Sequence, residues 1–418
     1  MGTETLFAAV LITWLAVFQC CNGHNFNYKE ALTKSLMFLE AQRSGKLPAD
    51  NRIHWRGDSA LDDGKEANVD LVGGYYDAGD NVKYGMPMAF TITTLAWSAI
   101  AYEKELKAAG EMGNVHSAIR WGTDYFLKCG KKRGIFYVET PRTVLQINET
   151  VPGTEIAAET SAAMAASSID ELLWAASWLY TATKDQKFRK FITEEAVSAV
   201  VDEFNWDLKY AGIQVLLSDT FLQSNDEALK IFKDHADSYI CSVLPQSPYF
   251  KVPKTPGGLI HLRDGANLQY VTGVSFLFSI YGDLLQHHNV KVKCDCQEFD
   301  ASTILNFAKQ QMDYILGANP LGRSYMVGFG NNPPTQAHHR GASIPLSEAN
   351  VDINCGMSFA RWFNKNSPNP NELTGAILGG PDKQDKFSDL RWTSIYTEPC
   401  TYVNSLAVAG LAKLTCHK

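Results

Sequence analysis

Apolar residues three and four positions apart recur along most of this chain, and this spacing predicts helices. In the segment Tyr28–Arg43, for example, Leu32, Leu36 and Leu39 fall on one helical face. The same pattern predicts further helices over Met88–Lys107, Val115–Lys128, Glu155–Ser167, Asp170–Thr183, Phe188–Glu203, Asp226–Cys241, Leu268–Leu285, Thr303–Leu316 and Tyr402–Leu414. Segments that alternate apolar and polar residues, as strands do, are scarce, so the sequence predicts an all-α fold.

The predicted helices carry many small residues, as in AAETSAAMAASS at 157–168 and SLAVAGLAKL at 405–414. Small residues let helices approach one another closely. Together with the long loops between helices, this favours a toroid of paired helices in which loops at one rim hold the functional residues. A helical solenoid is the alternative, but the chain has no fixed repeat period. No low-complexity linker divides the chain, so a single domain is expected.

The start of the chain differs from the rest, because Leu6–Phe18 is an uninterrupted apolar run. The run is too short to span a bilayer, and Cys21 and Gly23 behind it fit the small-residue positions of a cleavage site. We expect residues 1–23 to be a secretory signal peptide and residues 24–418 to be the catalytic domain, with an uncleaved anchor as the alternative. The glycosylation sequon Asn148–Thr150 fits a secreted glycoprotein without a stable membrane anchor.

Composition excludes several classes of protein. Of the 418 residues, 45% are apolar, which is enough for a large buried core. The formal net charge of −7 argues against a nucleic-acid partner, which would require a basic surface. Cleavage of the leader would leave seven cysteines, so at least one thiol is free or pairs with another chain. Cys294 and Cys296 cannot easily bridge each other, and no C-x-x-C pair supports a zinc site.

Three polar loops carry the candidate chemistry, and the first is DLVGGYYDAGDNVKYG at residues 70–85. Its glycines allow backbone conformations that other residues avoid, so Asp77 and Asp80 can face one point. Two close carboxylates raise the pKa of one of them or hold a water between them, which suits a general base. An Asx-turn or a calcium loop is the structural alternative.

The second loop is SYMVGFGNNPPTQAHHRGASIP at residues 324–345. Adjacent histidines point in different directions, so His338 and His339 are poorly arranged to bind one metal ion, and the sequence offers no acidic third ligand near them. A hydrogen-bonding His338 and a cationic Arg340 that line a polar pocket fit better than a metal hydrolase does. A pair of surface residues without function is the alternative for this segment.

The third loop is GGPDKQDKFSDLRWTSIYTEPCTYVNS at residues 379–405, which holds Asp389 and Glu398. Packing beside Tyr396 and Tyr402 would desolvate Glu398 and keep it protonated, as a general acid requires. The alternative is an acidic residue that stabilises the first turn of the next helix. Together the three loops supply an acid, a base and aromatic rings, which is the inventory of glycoside hydrolysis.

Longer motifs carry a resemblance to a known family. YYDAGDNVKYGMPMAFTIT, FAKQQMDYILGANPLGRSYMVGFG, HHRGASIP and LTGAILGGPDKQDKFSDLR resemble plant endoglucanases of glycoside hydrolase family 9, and the similarity covers nearly all of residues 26–415. The resemblance implies an (α/α)6 barrel with an open cleft that hydrolyses internal β-1,4-glucosidic bonds of cellulose-type glucans with inversion. It implies secretion to the cell wall, and we expect a monomer that needs no cofactor and no metal.

The resemblance also implies roles for residues of all three loops. Carried over by position, it gives a water-activating base at Asp80 with its partner at Asp77, an acid at Glu398, sugar-binding residues at His338 and Arg340, and a supporting residue at Asp389.

The sequence departs from the family in several places. After Lys128 a stretch with a cleft-lining His and Trp is absent, and before DELLWAA a helix and a Cys- and Tyr-rich loop are absent, so the barrel is expected to lack about one helix. A cleft Trp is also missing near Gly265, and Cys400 replaces a small residue or Thr. Because the three carboxyls remain, we expect an active endoglucanase. A weak or inactive variant that only binds glycan is the alternative.

Overall fold

The computed structural model describes residues 26–140, 145–148, 169–196 and 201–416. Within these ranges the α-helices are α1 (Tyr28–Ala41), α2 (Gly85–Ala101), α3 (Glu103–Ala109), α4 (Met112–Cys129), α5 (Ile169–Thr183), α6 (Gln186–Glu194), α7 (Tyr210–Ser224), α8 (Lys230–Val243), α9 (Leu268–His288), α10 (Ala301–Leu316), α11 (Arg340–Ser343), α12 (Cys355–Ser358), α13 (Ser394–Thr397) and α14 (Thr401–Leu414). Single 3₁₀ turns lie at Lys65–Ala67, Glu227–Leu229 and Leu346–Glu348, and a π-helical turn lies at Phe359–Phe363.

Helices of two kinds alternate along the chain. α2, α7, α9 and α14 are buried around most of their circumference, and in α14 only Lys413 is not buried. α1, α4, α8 and α10 each bury one face and expose the other. α14 packs against α2 and α9 and also against α1, while α7 packs against α8 and α9 packs against α10. Inner helices covered by outer helices form the (α/α)6 barrel, so the predicted all-α fold is confirmed.

The loops before two neighbouring inner helices meet at one rim of this barrel. Asp77 lies in the loop before α2, and Glu398 lies just before α14. The Thr401 N–H donates to the Asp77 carbonyl at 3.0 Å, and the Thr91 hydroxyl of α2 donates to the Thr401 hydroxyl at 3.0 Å. The N-terminal ends of α2 and α14 are therefore fixed side by side, and both candidate loops share the same rim.

Strands are few among the described residues. β1 (Lys83–Tyr84), β2 (Ile135–Thr140) and β3 (Leu145–Asn148) form an antiparallel sheet, in which Lys83 pairs with Thr140 and Ile135 pairs with Asn148. A second hairpin joins β4 (Val292–Cys294) to β5 (Gln297–Phe299). β1 follows the Asp77 loop directly, so the first sheet holds one side of that loop.

Two predicted helices differ from the structure. Met88–Lys107 is two helices, because the backbone leaves helical geometry at Tyr102 (φ −124°, ψ 38°). Phe188–Glu203 is too long: α6 ends at Glu194, where adjacent acidic residues oppose the negative end of the helix dipole. Residues 195–196 and 201–203 are not helical, and residues 197–200 lie outside the described ranges. α7 has no counterpart among the predicted helices, since a helix buried on all sides lacks an amphipathic period. The other predicted helices that fall on described residues agree to within about one turn.

Some expectations fall on residues that the structure does not describe. The predicted signal peptide and the predicted helix Glu155–Ser167 lie outside the described ranges, as do two residues of the glycosylation sequon. Within the described ranges no helix is long and apolar enough to cross a membrane.

One disulfide is formed between described cysteines. It joins Cys241 of α8 to Cys294 of β4 and ties the second hairpin to the barrel. Cys294 therefore pairs with a distant partner rather than with Cys296, as its spacing predicted. Cys296 is exposed and free, and Cys400 is free beside Glu398.

Candidate active site

The loop that holds Asp77 and Asp80 turns back on itself before it enters α2. Gly73 and Gly74 have φ values of 114° and 72°, in the region that favours glycine. The Asp77 N–H donates to the Val82 carbonyl at 2.9 Å and closes the turn. These contacts fix where the Asp77 and Asp80 side chains start from the backbone.

Asp80 forms an Asx-turn, in which its Oδ1 accepts a hydrogen bond from the Val82 N–H at 3.1 Å. The Asx-turn that the sequence offered as an alternative for this loop is thus present. It occupies only one of the two carboxylate oxygens, and no described residue donates a hydrogen bond to Oδ2. An oriented carboxylate with one open oxygen can accept a proton from a water.

The Asp80 loop and the His338 loop touch at Gly79. The Arg340 N–H donates to the Gly79 carbonyl at 2.8 Å, and Arg340 Nη1 donates to the Asp80 carbonyl at 2.9 Å. A Cβ atom at Gly79 would lie 2.1 Å from the His338 carbonyl oxygen and 2.7 Å from the His339 Cα. Only glycine fits this contact, which brings the predicted sugar-binding residues beside the predicted base.

Glu398 completes the group. It follows the short helix α13, where its backbone N–H donates to the Ser394 carbonyl at 2.9 Å, and the backbone of Gly79 acts to lower the pKa of its carboxyl. Burial raises the pKa of Glu398, and the negative charge of Asp80 raises it further, whereas the neighbouring His338 acts to lower it. A carboxyl whose pKa is raised in this way holds its proton to a higher pH than a free glutamate does, which favours the role of a general acid.

Asp77 lies close to both other carboxyls. Burial raises the pKa of Asp77 to about 7, and the charges of Asp80 and Glu398 contribute to the increase. The Thr401 hydroxyl, 3.4 Å from Asp77 Oδ1, acts in the opposite direction. Because the charges of Asp80 and Glu398 act on Asp77, and the charge of Asp80 acts on Glu398, the structure brings the three carboxyls together in one site.

His338 borders this site with a fixed ring. Its Nδ1 lies 2.7 Å from the Arg391 carbonyl oxygen, and because a carbonyl only accepts, Nδ1 carries the proton. Its backbone N–H donates to the Thr397 carbonyl at 2.9 Å, which places it beside Glu398. Among the described residues none is hydrogen-bonded to Nε2, so this nitrogen can accept a hydrogen bond from a ligand.

His339 turns away from the site and is buried. The Ala342 N–H donates to its Nδ1 at 3.0 Å, and its Nε2 lies 2.9 Å from Gln42 Oε1. Burial lowers the pKa of His339 to about 3, so the ring is neutral. With both nitrogens engaged, His339 has no free nitrogen for a metal ion, which agrees with the sequence argument against a metal hydrolase.

Asp389 supports the His338 loop from below. Its carboxylate accepts hydrogen bonds from the N–H groups of Thr335 and Gln336 at 2.9 and 3.0 Å, and Arg323 Nη2 lies 3.5 Å away. Asp389 therefore holds the backbone that leads to His338.

Two residues of this arrangement were missed from the sequence. Gln42 Nε2 donates to the carbonyls of Tyr76 and Ala78 at 3.1 and 2.8 Å, so Gln42 ties the Asp77 loop to His339. Arg391 is 1% exposed and donates only to neutral acceptors. Neither residue has a local sequence signal, because an isolated polar residue looks like part of a solvated surface.

Comparison with known proteins agrees with this geometry. The sequence profile of Glycosyl hydrolase family 9 matches residues 28–169 and 168–411. Endoglucanase 16 of Arabidopsis thaliana is 57% identical over 458 residues, with 94% of each chain covered. Endoglucanase 8 of Oryza sativa subsp. japonica is 55% identical over 452 residues, which cover 93% of this chain and 90% of the relative.

The chain belongs to glycosyl hydrolase family 9. Among solved structures, the endoglucanase from the termite Nasutitermes takasagoensis is 31% identical, with a TM-score of 0.79 over 93% of this chain and 99% of that one. The endoglucanase CelQ of Clostridium thermocellum, complexed with cellotriose, is 27% identical, with a TM-score of 0.77 over 94% of this chain and 71% of that one. This family 9 chain is therefore a glycoside hydrolase.

The same comparisons support the prediction that this chain lacks segments that its relatives contain. The alignment with the Arabidopsis relative spans 458 residues, more than the 418 residues of this family 9 chain, so the relative contains residues without counterparts here. The family profile matches in two pieces that meet at residues 168–169, where the sequence predicts a missing helix. Beside the other predicted gap, Leu127 is 67% exposed.

The raised pKa of Asp77 predicts a pH-dependent stability. The folded carboxyl holds its proton up to about pH 7, whereas the unfolded value is 3.8, so unfolding releases this proton at intermediate pH. Stability should fall as pH rises from about 4 to about 7, by at most about 4 kcal/mol. The variant Asp77→Asn should therefore have a higher melting temperature than the parent at pH 8 and the same melting temperature as the parent at pH 4. Calorimetry of the parent and the variant measures these melting temperatures, and Asp124→Asn, at an exposed residue, is the control. A change in melting temperature of the same size at pH 4 and at pH 8 would contradict the prediction.

Proposed function

We propose that this chain is a secreted endo-β-1,4-glucanase that cleaves internal bonds of cellulose-type glucans with inversion of configuration. In this proposal Glu398 is the general acid, Asp80 is the base that activates water, and Asp77 is its partner. His338 and Arg340 bind sugar beside the cleaved bond, and Asp389 supports them. The observation that carries the proposal is the shared electrostatics of the three carboxyls, together with the raised pKa of Glu398.

The proposed reaction is a single displacement. The Glu398 carboxyl donates its proton to the glycosidic oxygen as the bond from the anomeric carbon to that oxygen breaks. A water held by Asp80 attacks the anomeric carbon from the opposite face and gives its proton to the open Asp80 oxygen. An inverting enzyme places acid and base about 6.5–9.5 Å apart, which leaves room for this water. The product carries the α configuration.

Asp77 would keep the charge of the pair on Asp80. With a pKa of about 7, Asp77 is protonated over much of the acidic range and can donate a hydrogen bond to the water or to Asp80. A neutral Asp77 also avoids the repulsion that two adjacent carboxylates would create. The resulting base is a single carboxylate, oriented by Val82, beside a protonated acid.

Secretion is supported by two features besides the predicted leader. The Cys241–Cys294 disulfide is typical of proteins that fold in an oxidising compartment. The sequon starts at Asn148, the last residue of β3, and would accept a glycan in that compartment. The related proteins named as endoglucanases, and the bacterial neighbour complexed with cellotriose, support a glucan as the substrate.

The direct test of endo-acting hydrolysis uses carboxymethyl cellulose. An enzyme that cuts internal bonds should lower the viscosity of the solution long before many reducing ends appear, because each cut shortens a chain substantially. A slow fall in viscosity with an early release of small sugars would indicate cleavage from chain ends and overturn the endo assignment. Binding without release of reducing ends would support the glycan-binding alternative.

The shortened segments predict a cost in activity and stability. Inserting the Arabidopsis relative's segments after Lys128 and after Ile169 should restore cleft contacts and cover apolar surface. We expect kcat/KM on cellohexaose to rise about tenfold and the melting temperature to rise about 5 °C or more. Insertions of equal length made of Gly and Ser serve as controls. If the unmodified chain already matches the relative in both measurements, the segments are dispensable.

A further inference from the structure

A recess of about 500 Å³ is lined by His338 and Arg340, and also by Asn81, which directly follows Asp80. Its far side is formed by Phe359 and Phe363, and Asn354 and Ser358 add polar groups to its lining. None of the three catalytic carboxyls lines it. A volume of this size lies within the range of small-ligand sites, about 300–1,000 Å³, so the recess has room for a short oligosaccharide.

Three rings lead from the catalytic site into this recess. The Phe363 ring centroid lies 5.6 Å from that of His338, and the two planes are at 87°. The Phe359 ring lies 4.9 Å beyond Phe363 at 72° and is 49% exposed. An aromatic ring that is half exposed at the edge of a cleft, and supported by a second ring behind it, offers an apolar face to a ligand.

The wall of the recess is held firmly. Phe359–Phe363 is a π-helical turn, a rare conformation that often marks functional sites. The buried Arg391 guanidinium donates to the carbonyls of Trp362, Lys365 and Ser367 at 3.0, 2.9 and 2.8 Å. The carbonyl of Arg391 also accepts from His338 Nδ1. One residue therefore positions both the aromatic wall and the histidine at the start of the recess.

The recess also has a hydrogen-bond donor in its lining. Arg340 is exposed, donates one N–H to the Asp80 carbonyl, and has no carboxylate within 4.0 Å among the described residues. Its remaining N–H groups are free to donate to hydroxyl groups in the recess. An apolar ring and a guanidinium that line one recess match a ligand that is apolar on its faces and polar at its edges.

We propose that this recess is a further glucosyl-binding subsite, in which Phe359 stacks on a sugar ring of the glucan chain beyond His338. A β-glucosyl unit carries its hydroxyls in equatorial positions and its C–H bonds in axial positions, so its faces are apolar and its edge is polar. Phe359 contacts the face, and Arg340 and Asn354 contact the hydroxyls. This subsite rests on the proposed glucanase function and extends the cleft past the bond that is cleaved.

Binding measured without turnover tests the subsite directly. In a Glu398→Gln background, isothermal titration with cellohexaose should give a Kd that Phe359→Ala weakens about tenfold. Phe359→Tyr should restore most of the affinity, because the ring is retained. Leu346→Ala, which removes a 57% exposed apolar side chain outside the recess, should leave the Kd within about twofold.

Two results overturn the subsite. One is a Kd for Phe359→Ala within twofold of its background, and the other is no cellohexaose binding by the background itself. Neither depends on whether the parent hydrolyses glucan, whereas the proposed function fails if Glu398→Gln keeps the parent's turnover on carboxymethyl cellulose. An equal loss of affinity in Phe359→Ala and Phe359→Tyr would also overturn it, since stacking requires only the ring.

Discussion

Glu398→Gln should lower kcat on cellohexaose by about 10²–10⁴-fold, because the amide keeps the shape of the acid but has no proton to donate. Asp80→Asn should cause a loss of similar size, because the amide cannot take a proton from the attacking water. Neither change alters the contacts that bind distant parts of the glucan, so KM should change much less than kcat. Initial-rate kinetics on the parent and both variants measure these effects.

The two variants are separated by a substrate with a good leaving group. Such a substrate needs little protonation of the departing oxygen, so it should partly rescue Glu398→Gln. It should not rescue Asp80→Asn, because the water still lacks its base. Asp124→Asn, an exposed carboxyl on α4, is the matched control and should behave as the parent does. Rescue of both variants, or near-parent kcat in either, would show that the roles are assigned wrongly.

Gly79→Ala should lower kcat/KM by about 100-fold. The added Cβ would lie 2.1 Å from the His338 carbonyl oxygen and 2.7 Å from the His339 Cα, and both are backbone atoms that cannot rotate away. The Asp80 loop and the His338 loop must therefore separate, and a displacement of about 1 Å in an active site can cost about 10²-fold. The same overpacking should cost about 1–3 kcal/mol of folding stability.

Gly57→Ala provides the control for this change, because a Cβ at Gly57 would meet no atom within 4 Å. Its kcat/KM and melting temperature should match those of the parent. Activity is compared well below the melting temperature of each variant, so that loss of folded protein does not lower the rate. A Gly79→Ala protein with parent kcat/KM would mean that the contact between the two loops does not position the catalytic residues.

The barrel could be predicted from the sequence because most of its helices keep one apolar face. α1, α4 and α10 show this pattern and lie within about one turn of the predicted positions. α7 could not be found in this way, since it is buried on nearly every side and its apolar residues follow no period. The break at Tyr102 was also missed, because it results from a backbone conformation that no glycine or proline announces.

The candidate site was predictable to the extent that its residues stand in distinctive loops. Asp77, Asp80 and Glu398 could be selected because glycines and aromatic residues surround them. Gln42 and His339 could not be linked, since they are 297 residues apart and meet only through the fold. The neutral state of His339 likewise follows from burial, which the sequence does not reveal.

The role of Arg391 could not be predicted from the sequence either. In the sequence it is one cation in a polar loop, and such residues are mostly exposed. In the structure it is 1% exposed, and its guanidinium holds the turn that carries Phe359 and Phe363. The role of such a residue depends on carbonyl groups that a distant segment presents, so only the three-dimensional structure shows it.

The configuration of the first product tests the central claim most directly. Proton NMR can follow the anomeric signals while the parent enzyme hydrolyses cellohexaose, before mutarotation mixes the anomers. If Asp80 activates a water on the face opposite Glu398, the new reducing ends should appear first as the α-anomer. Initial formation of the β-anomer would require a covalent intermediate and a carboxylate nucleophile, and it would contradict the assignment of Asp80 as the water-activating base.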